Sequence, residues 1–209
     1  MRLEAPFGPW EPASVGEVAH RFATAGAPWW VAGGYAIELA VGRPFRDHGD
    51  IDVMLLRRDQ HVAHLVLDGW ELWAADPPGS LRPWRPGETL PAGVHDIWCR
   101  PTADAPWRIQ LMLEDLEDLE DTEGDTWISR RDPRLRRPLD TLGFTTEDGT
   151  PVVAPEVQLH YKAKGLRPKD EADFDAALPH LTAPQRTWLA DALTTTYGPD
   201  HPWAVRLTP

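Results

Sequence analysis

Between Trp29 and Leu56 the chain reads WWVAGGYAIELAVGRPFRDHGDIDVMLL, and this segment constrains the fold more than any other. A short apolar run, WWVA, meets the glycine pair Gly33-Gly34. Residues Tyr35 to Val41 then follow at helical spacing until Gly42 stops them. After fifteen residues from the glycine pair come Asp50 and Asp52, alternating with Ile51 and Val53. A strand, a glycine turn, a short helix and a second strand are therefore expected in about thirty residues.

The residue types give this arrangement a chemical reading. Two glycines between a strand and a helix let the backbone approach an anion, and the helix offers free amide hydrogens and the positive end of its dipole. Alone, such a pair is equally consistent with a plain tight turn. On a strand from Asp50 to Leu56, Asp50 and Asp52 project from one face while Ile51 and Val53 enter the core. Adjacent carboxylates repel, and oxygen-only ligands of this kind suit a hard cation such as Mg²⁺.

The remaining elements form a consistent order. Ser14 and Glu17 make a capping box for a helix that Gly26 ends. After Leu56 the pattern predicts a helix from about Asp59 to Leu67, then strands at Trp70–Ala74, Val94–Arg100 and Trp107–Leu113. The proline-rich stretch Asp76–Gly93 reads as one long loop, in which Trp84 either stacks on a ligand or pins the loop to the body. A strand at Thr126–Arg130 and a hairpin around Asp148-Gly149 follow. Helices at Pro155–Lys164, Pro168–Leu178 and Pro184–Tyr197 close the chain. The fold class is α+β: a mixed sheet with flanking helices over residues 1–150, followed by a small helical lobe over residues 151–209.

Composition excludes several classes. A single cysteine, Cys99, rules out an internal disulfide and a thiolate-rich zinc site, and is expected to be a buried thiol. A net charge of -12 argues against a broad nucleic-acid footprint, which would need a basic face. Eight of the acidic residues fall in the run Glu114–Asp125, EDLEDLEDTEGD, expected to be a solvated, mobile connection. No apolar run reaches the length of a membrane span, and the first residues lack the pattern of a signal peptide, so a cytoplasmic protein is expected.

The stretch GGYAIELAVGRPFRDHGDIDV resembles the GG…R-x-H-x-D-I-D signature of nucleotidyltransferases of the DNA polymerase beta superfamily, in the branch of aminoglycoside 2''-adenylyltransferases and lincosamide nucleotidyltransferases. Farther on, APEVQLHYKAKGLRPKDEADF is similar to the lysine-rich segment with a KD-x-x-D motif that follows the catalytic domain in that family. The resemblance implies an enzyme that moves a nucleoside monophosphate, with ATP the expected donor, to a hydroxyl of a small acceptor, releasing pyrophosphate. It implies that Asp50 and Asp52 hold Mg²⁺, that Gly33 and Gly34 hold phosphates, and that Arg46, His48, Lys162 and Lys164 surround the nucleotide. Lys169 and Asp173, one turn apart, are expected to be a structural pair.

One departure matters. Superfamily members supply a third carboxylate from a later strand, and the matching position in WRIQLMLED is Gln110, which can ligate but cannot take a proton. Asp96 on the preceding strand is the favoured replacement. Glu114 lies four residues beyond Gln110, roughly 13 Å away at strand rise. The gap leaves two further readings: a catalytically degenerate nucleotide-binding module, and a toxin-antitoxin-type nucleotidyltransferase acting on a macromolecule.

Overall fold

Ser14 opens the first helix as its sequence requires. Its hydroxyl accepts from the Glu17 amide at 3.2 Å while the Glu17 carboxylate accepts from the Ser14 amide at 2.8 Å. The bond from the Ser14 backbone also holds the Glu17 carboxyl below its ordinary pKa. The computed structural model describes residues 2–5, 7–117 and 125–208. In chain order its elements are β1 (Leu3–Glu4), α1 (Val15–Phe22), β2 (Trp29–Ala32), α2 (Gly33–Val41), β3 (Asp52–Leu56), α3 (Val62–Val66), β4 (Glu71–Ala75), β5 (Ser80–Pro83), β6 (Asp96–Arg100), β7 (Ile109–Leu116), β8 (Thr126–Ile128), β9 (Arg136–Pro138), β10 (Gly143–Thr145), β11 (Pro151–Val153), α4 (Pro155–Lys162), α5 (Pro168–Ala177), α6 (Ala183–Tyr197) and α7 (Pro202–Leu207).

The chain divides into two compact units. One comprises Met1–Val31 and Asp47–Asp115, the other Ala32–Arg46 and Leu116–Pro209. Residue 150 lies inside the second of these.

In the first unit the strands run in the order β1-β5-β4-β6-β7-β3-β2. The sheet is mixed: β3 and β7 are parallel, while β6 lies antiparallel to both β7 and β4. Ile51, Val53, Leu55, Ile97, Ile109, Leu111 and Leu113 are fully buried, and Met54 and Leu56 are as well, so β3 is covered on both faces as the inner strand of a sheet. At the other end Trp73, Leu81 and Trp107 form a cluster, with Trp10 and Trp98 packed against it. The Arg100 guanidinium lies over the Trp107 ring at 4.5 Å.

Two expectations in this unit are corrected, and the alternative left open at Trp84 is decided. The stretch Asp76–Gly93 is not one loop, because Ser80–Pro83 forms β5 and pairs with both β4 and β1. Trp84 is buried, and its indole donates to the Glu88 carbonyl at 2.6 Å, so it pins the segment. The expected helix Asp59–Leu67 is a 3₁₀ turn at Arg57–Asp59 followed by the short α3. Cys99 is buried as expected, and burial pushes its thiol pKa well up.

The second unit carries two hairpins. Strands β10 and β11 pair around Gly149, whose φ of 87° suits the turn read from Asp148-Gly149. Strand β9, not foreseen, pairs with β8. Helix α6 begins at a capping box between Thr182 and Gln185 and stops at Gly198. It buries Leu189, Ala192 and Leu193, and with Ile37, Leu159, Phe174 and Trp203 they build the core of this unit. Phe174 stacks on Trp203, the ring centroids 4.4 Å apart.

The acidic run is corrected at its start. Glu114 to Leu116 belong to β7, and Glu114 is fully buried rather than solvated. Residues 118–124 of the run lie outside the described residues.

Candidate active site

In the first unit several of the candidate residues lie where β3, β7 and β6 run side by side. Asp52 opens β3, and its register partner on β7 is Gln110. The Gln110 amide donates to the Ile51 carbonyl at 2.9 Å, extending the ladder one residue back toward Asp50. Asp50 precedes β3 by two residues, so the strand begins later than its sequence suggested. The alternation nevertheless holds: Ile51 and Val53 are fully buried, whereas Asp50 and Asp52 are half-buried.

Strand β6 brings Asp96 beside Gln110. Trp98 is the partner of Gln110 and Asp96 that of Met112, and the Gln110 side-chain amide donates to Asp96 Oδ1 at 3.2 Å. Gln110 thus sits between Asp52 on one neighbouring strand and Asp96 on the other. Glu114 is paired in register with Leu56, at the other end of β3. Four residues of strand, roughly 13 Å, separate it from Gln110. The structure therefore groups Asp96, not Glu114, with Gln110 and Asp52.

Among the described residues no group of three or more His, Cys, Asp or Glu side chains is gathered closely enough to hold a metal ion. Mg²⁺ does not need one. It is ordinarily held by one or two carboxylates together with substrate phosphates and water, so the half-buried oxygens of Asp50 and Asp52 are a suitable donor set.

In the second unit the glycine pair forms the first turn of α2 rather than preceding it. Gly33 has a φ of 66°, a conformation that strains any side chain. Its amide donates to Gln158 Oε1 on α4 at 2.8 Å in a buried bond. Ala32, at the N-cap, gives no side-chain cap, so Gln158 takes part of that role from across the unit. No local pattern announces this bond, because the two residues are 125 positions apart.

Arg46, Lys162 and the KD-x-x-D segment form one ionic network. Arg46 grips Asp173 with two bonds, Nε to Oδ1 at 2.6 Å and a terminal nitrogen to Oδ2 at 2.8 Å. Lys162 Nζ reaches the same Oδ2 at 2.8 Å and lies 4.0 Å from Asp170 Oδ1. Glu38 on α2 accepts from the Phe45 amide at 3.1 Å, tying the segment that carries Arg46 to the helix. Asp170 is fully buried; burial raises its carboxyl pKa, but the Arg167 bonds and the charges of Arg167 and Lys162 outweigh this and hold it below the ordinary value.

Asp173 is therefore paired with Arg46 and Lys162, and the expected pairing with Lys169 is corrected. Lys169 is exposed on α5, and Lys164 is exposed beyond the end of α4. His48 is half-buried in the segment between Arg46 and Asp50.

The family model of the aminoglycoside-2''-adenylyltransferases matches residues 14–69, which include Gly33, Gly34, Arg46, His48, Asp50 and Asp52. No curated protein matches the chain by sequence. The chain is similar to the crystal structure of ANT(2")-Ia in complex with adenylyl-2"-tobramycin, at 15% identity and a TM-score of 0.52, covering 87% of this chain and 95% of that one. It is also similar to the lincosamide antibiotic adenylyltransferase LnuA with lincomycin bound, at 14% identity and a TM-score of 0.55, covering 83% of this chain and 100% of that one. The chain carries the aminoglycoside-2''-adenylyltransferase sequence pattern over residues 14–69 and, over most of its length, the fold of the antibiotic nucleotidyltransferases.

Proposed function

We propose that the chain is a nucleotidyltransferase that moves AMP from ATP to a hydroxyl of a small, antibiotic-like acceptor. The observation that carries this reading is the trio at the head of β3, β7 and β6, where Gln110 is flanked by Asp52 and bonded to Asp96. Its position in a fold shared with antibiotic adenylyltransferases supports the same reading. Mg²⁺ bound by Asp50 and Asp52 would neutralise the triphosphate and favour in-line attack at the α-phosphorus.

The protein's own groups then have distinct tasks. Asp96 accepts the proton of the attacking hydroxyl, the role Gln110 cannot fill, and the Gln110 amide keeps the Asp96 carboxylate oriented. Amides of the first turn of α2, from Gly34 onward, receive phosphate oxygens, while the Gly33 amide is held by Gln158 and keeps the turn in shape. Arg46 and Lys162, fixed by Asp173, supply positive charge toward the departing pyrophosphate.

The test is direct. The protein is incubated with labelled ATP, Mg²⁺ and a panel of aminoglycosides, lincosamides and simple sugars, and pyrophosphate and the adenylylated product are measured. Release of pyrophosphate with one acceptor class supports the assignment. ATP binding without product across the panel would instead indicate a nucleotide-binding module, and absence of ATP binding would sink both.

A further inference from the structure

The face of the sheet that carries Asp96 continues into an aromatic wall within the same unit. Along β6, Asp96, Trp98 and Arg100 alternate with the fully buried Ile97 and Cys99, so Trp98 shares a face with Asp96, roughly 7 Å along the strand. The register partners of Trp98 are Gln110 on β7 and Trp73 on β4, which puts this indole one strand away from the side chain that bonds Asp96. Phe7 and Trp10 pack against it at steep angles, with ring centroids 5.2 and 5.0 Å away. All three rings are only half-buried.

Two features separate this wall from an ordinary core. The buried indoles of the cluster have acceptors for their N–H groups: Trp73 donates to Glu71 Oε2 at 3.1 Å and Trp107 to the Phe7 carbonyl at 2.7 Å. The indole N–H groups of Trp10 and Trp98 donate to none of the described residues, although a tryptophan in a packed cluster ordinarily finds an acceptor. The wall also carries its own cation. The Arg100 guanidinium lies 4.5 Å from the Trp107 ring and 5.6 Å from that of Trp73, balanced by Glu71 at 2.9 Å.

We propose that Trp98 and Trp10 form the acceptor subsite and that they take a neutral pyranose ring, a reading that rests on the transfer function given above. The carbon-rich face of such a ring lies against the indoles, and its hydroxyls accept from their N–H groups. A ring seated on Trp98 spans the two-residue step to Asp96, so one of its hydroxyls meets that carboxylate. The hydroxyl oxygen forms the bond to the α-phosphorus as the bond to pyrophosphate breaks, and its proton passes to Asp96. Arg100 at the edge of the wall repels a polycation, so an uncharged glycoside is favoured over a polyamine.

The probes are methyl glucopyranoside, methyl galactopyranoside and methyl mannopyranoside, with tobramycin as the polycation. Binding to the full chain is followed by saturation-transfer NMR across a titration. At least one pyranoside is expected to bind saturably, with the strongest transfer to the C–H protons of one ring face. Trp98→Leu should weaken it by about tenfold, Trp98→Phe by less because an aromatic face remains, and ATP affinity should be unchanged in both. Trp10→Leu should weaken it by a few-fold, which keeps the idea testable if Trp98→Leu fails to fold. No saturable binding of any pyranoside, an affinity unaltered by Trp98→Leu and Trp10→Leu, or tobramycin bound more tightly than every pyranoside would each overturn the proposal. Pyrophosphate release, measured separately, keeps the two readings apart. Pyranoside binding through Trp98 without AMP transfer supports a sugar site here and defeats the transfer reading alone, whereas transfer with an acceptor KM unmoved by Trp98→Leu defeats this inference alone.

Discussion

Asp173 is fully buried and holds two cations at once, so its removal is a sharp test of what the KD-x-x-D segment does. Asp173→Asn keeps the size of the side chain and one acceptor, but removes the carboxylate that Arg46 and Lys162 share and leaves Lys162 with the more distant Asp170, 4.0 Å away. Removing one partner of a buried ion pair costs about 3–5 kcal/mol. The Arg46 side chain is 17% exposed and that of Lys162 9%, so partial access to water places the loss near the lower end, about 3 kcal/mol. In a chain of this length each kcal/mol moves the melting midpoint by about 2–4 °C, which gives a fall of about 6–12 °C. Calorimetry on Asp173→Asn beside Lys169→Met reads it out, because the exposed Lys169 should cost less than about 0.5 kcal/mol. Adding Lys162→Met to Asp173→Asn should cost less than the sum of the two single changes, since one of the stranded cations is then gone. Equal midpoints for Asp173→Asn and Lys169→Met would refute the reasoning and reduce the network to a surface feature.

Other outcomes follow from the same geometry. His160 is buried, and that burial, with the positive charge of Arg131, lowers its pKa from 6.5 to about 4. The folded state thus prefers the neutral ring; the stability this confers is complete above pH 6.5 and is lost as pH falls toward 4, about 3 kcal/mol in all, so His160→Gln should flatten the acid side of a stability-against-pH curve. Asp50→Ala and Asp52→Ala should each abolish turnover with the circular dichroism spectrum and melting midpoint nearly unchanged; full activity in either would remove it from the metal site. Asp96→Asn can still accept from Gln110, so it should fold normally and lower kcat by about 10²–10⁴. Glu114→Gln, at the other end of the strand pairing, should leave kcat within a few-fold, and the reverse order would move the base from Asp96 to Glu114.

What the sequence determined is what local physics can decide. The Ser14 cap, the glycine stop at Gly42 and the Asp148-Gly149 hairpin each rest on contacts within a few residues, and all of them stand in the structure. Strands β1, β5 and β9 were not legible, because each is two to four residues long and gains its shape from a partner strand rather than from its own pattern. Glu114 looked like part of a solvated run because neighbouring charges said so, whereas the sheet draws it into a buried position. The alternation that set Asp50 and Asp52 on one side was readable from Ile51 and Val53. Only the register could seat Gln110 beside Asp52 and lay Asp96 against Gln110, and only folding could bring Gln158 to the Gly33 amide or Arg46 to Asp173 across more than a hundred residues. Periodicity and capping act over one or two turns of chain, while strand pairing and buried ion pairs are chosen by the packing of the whole unit.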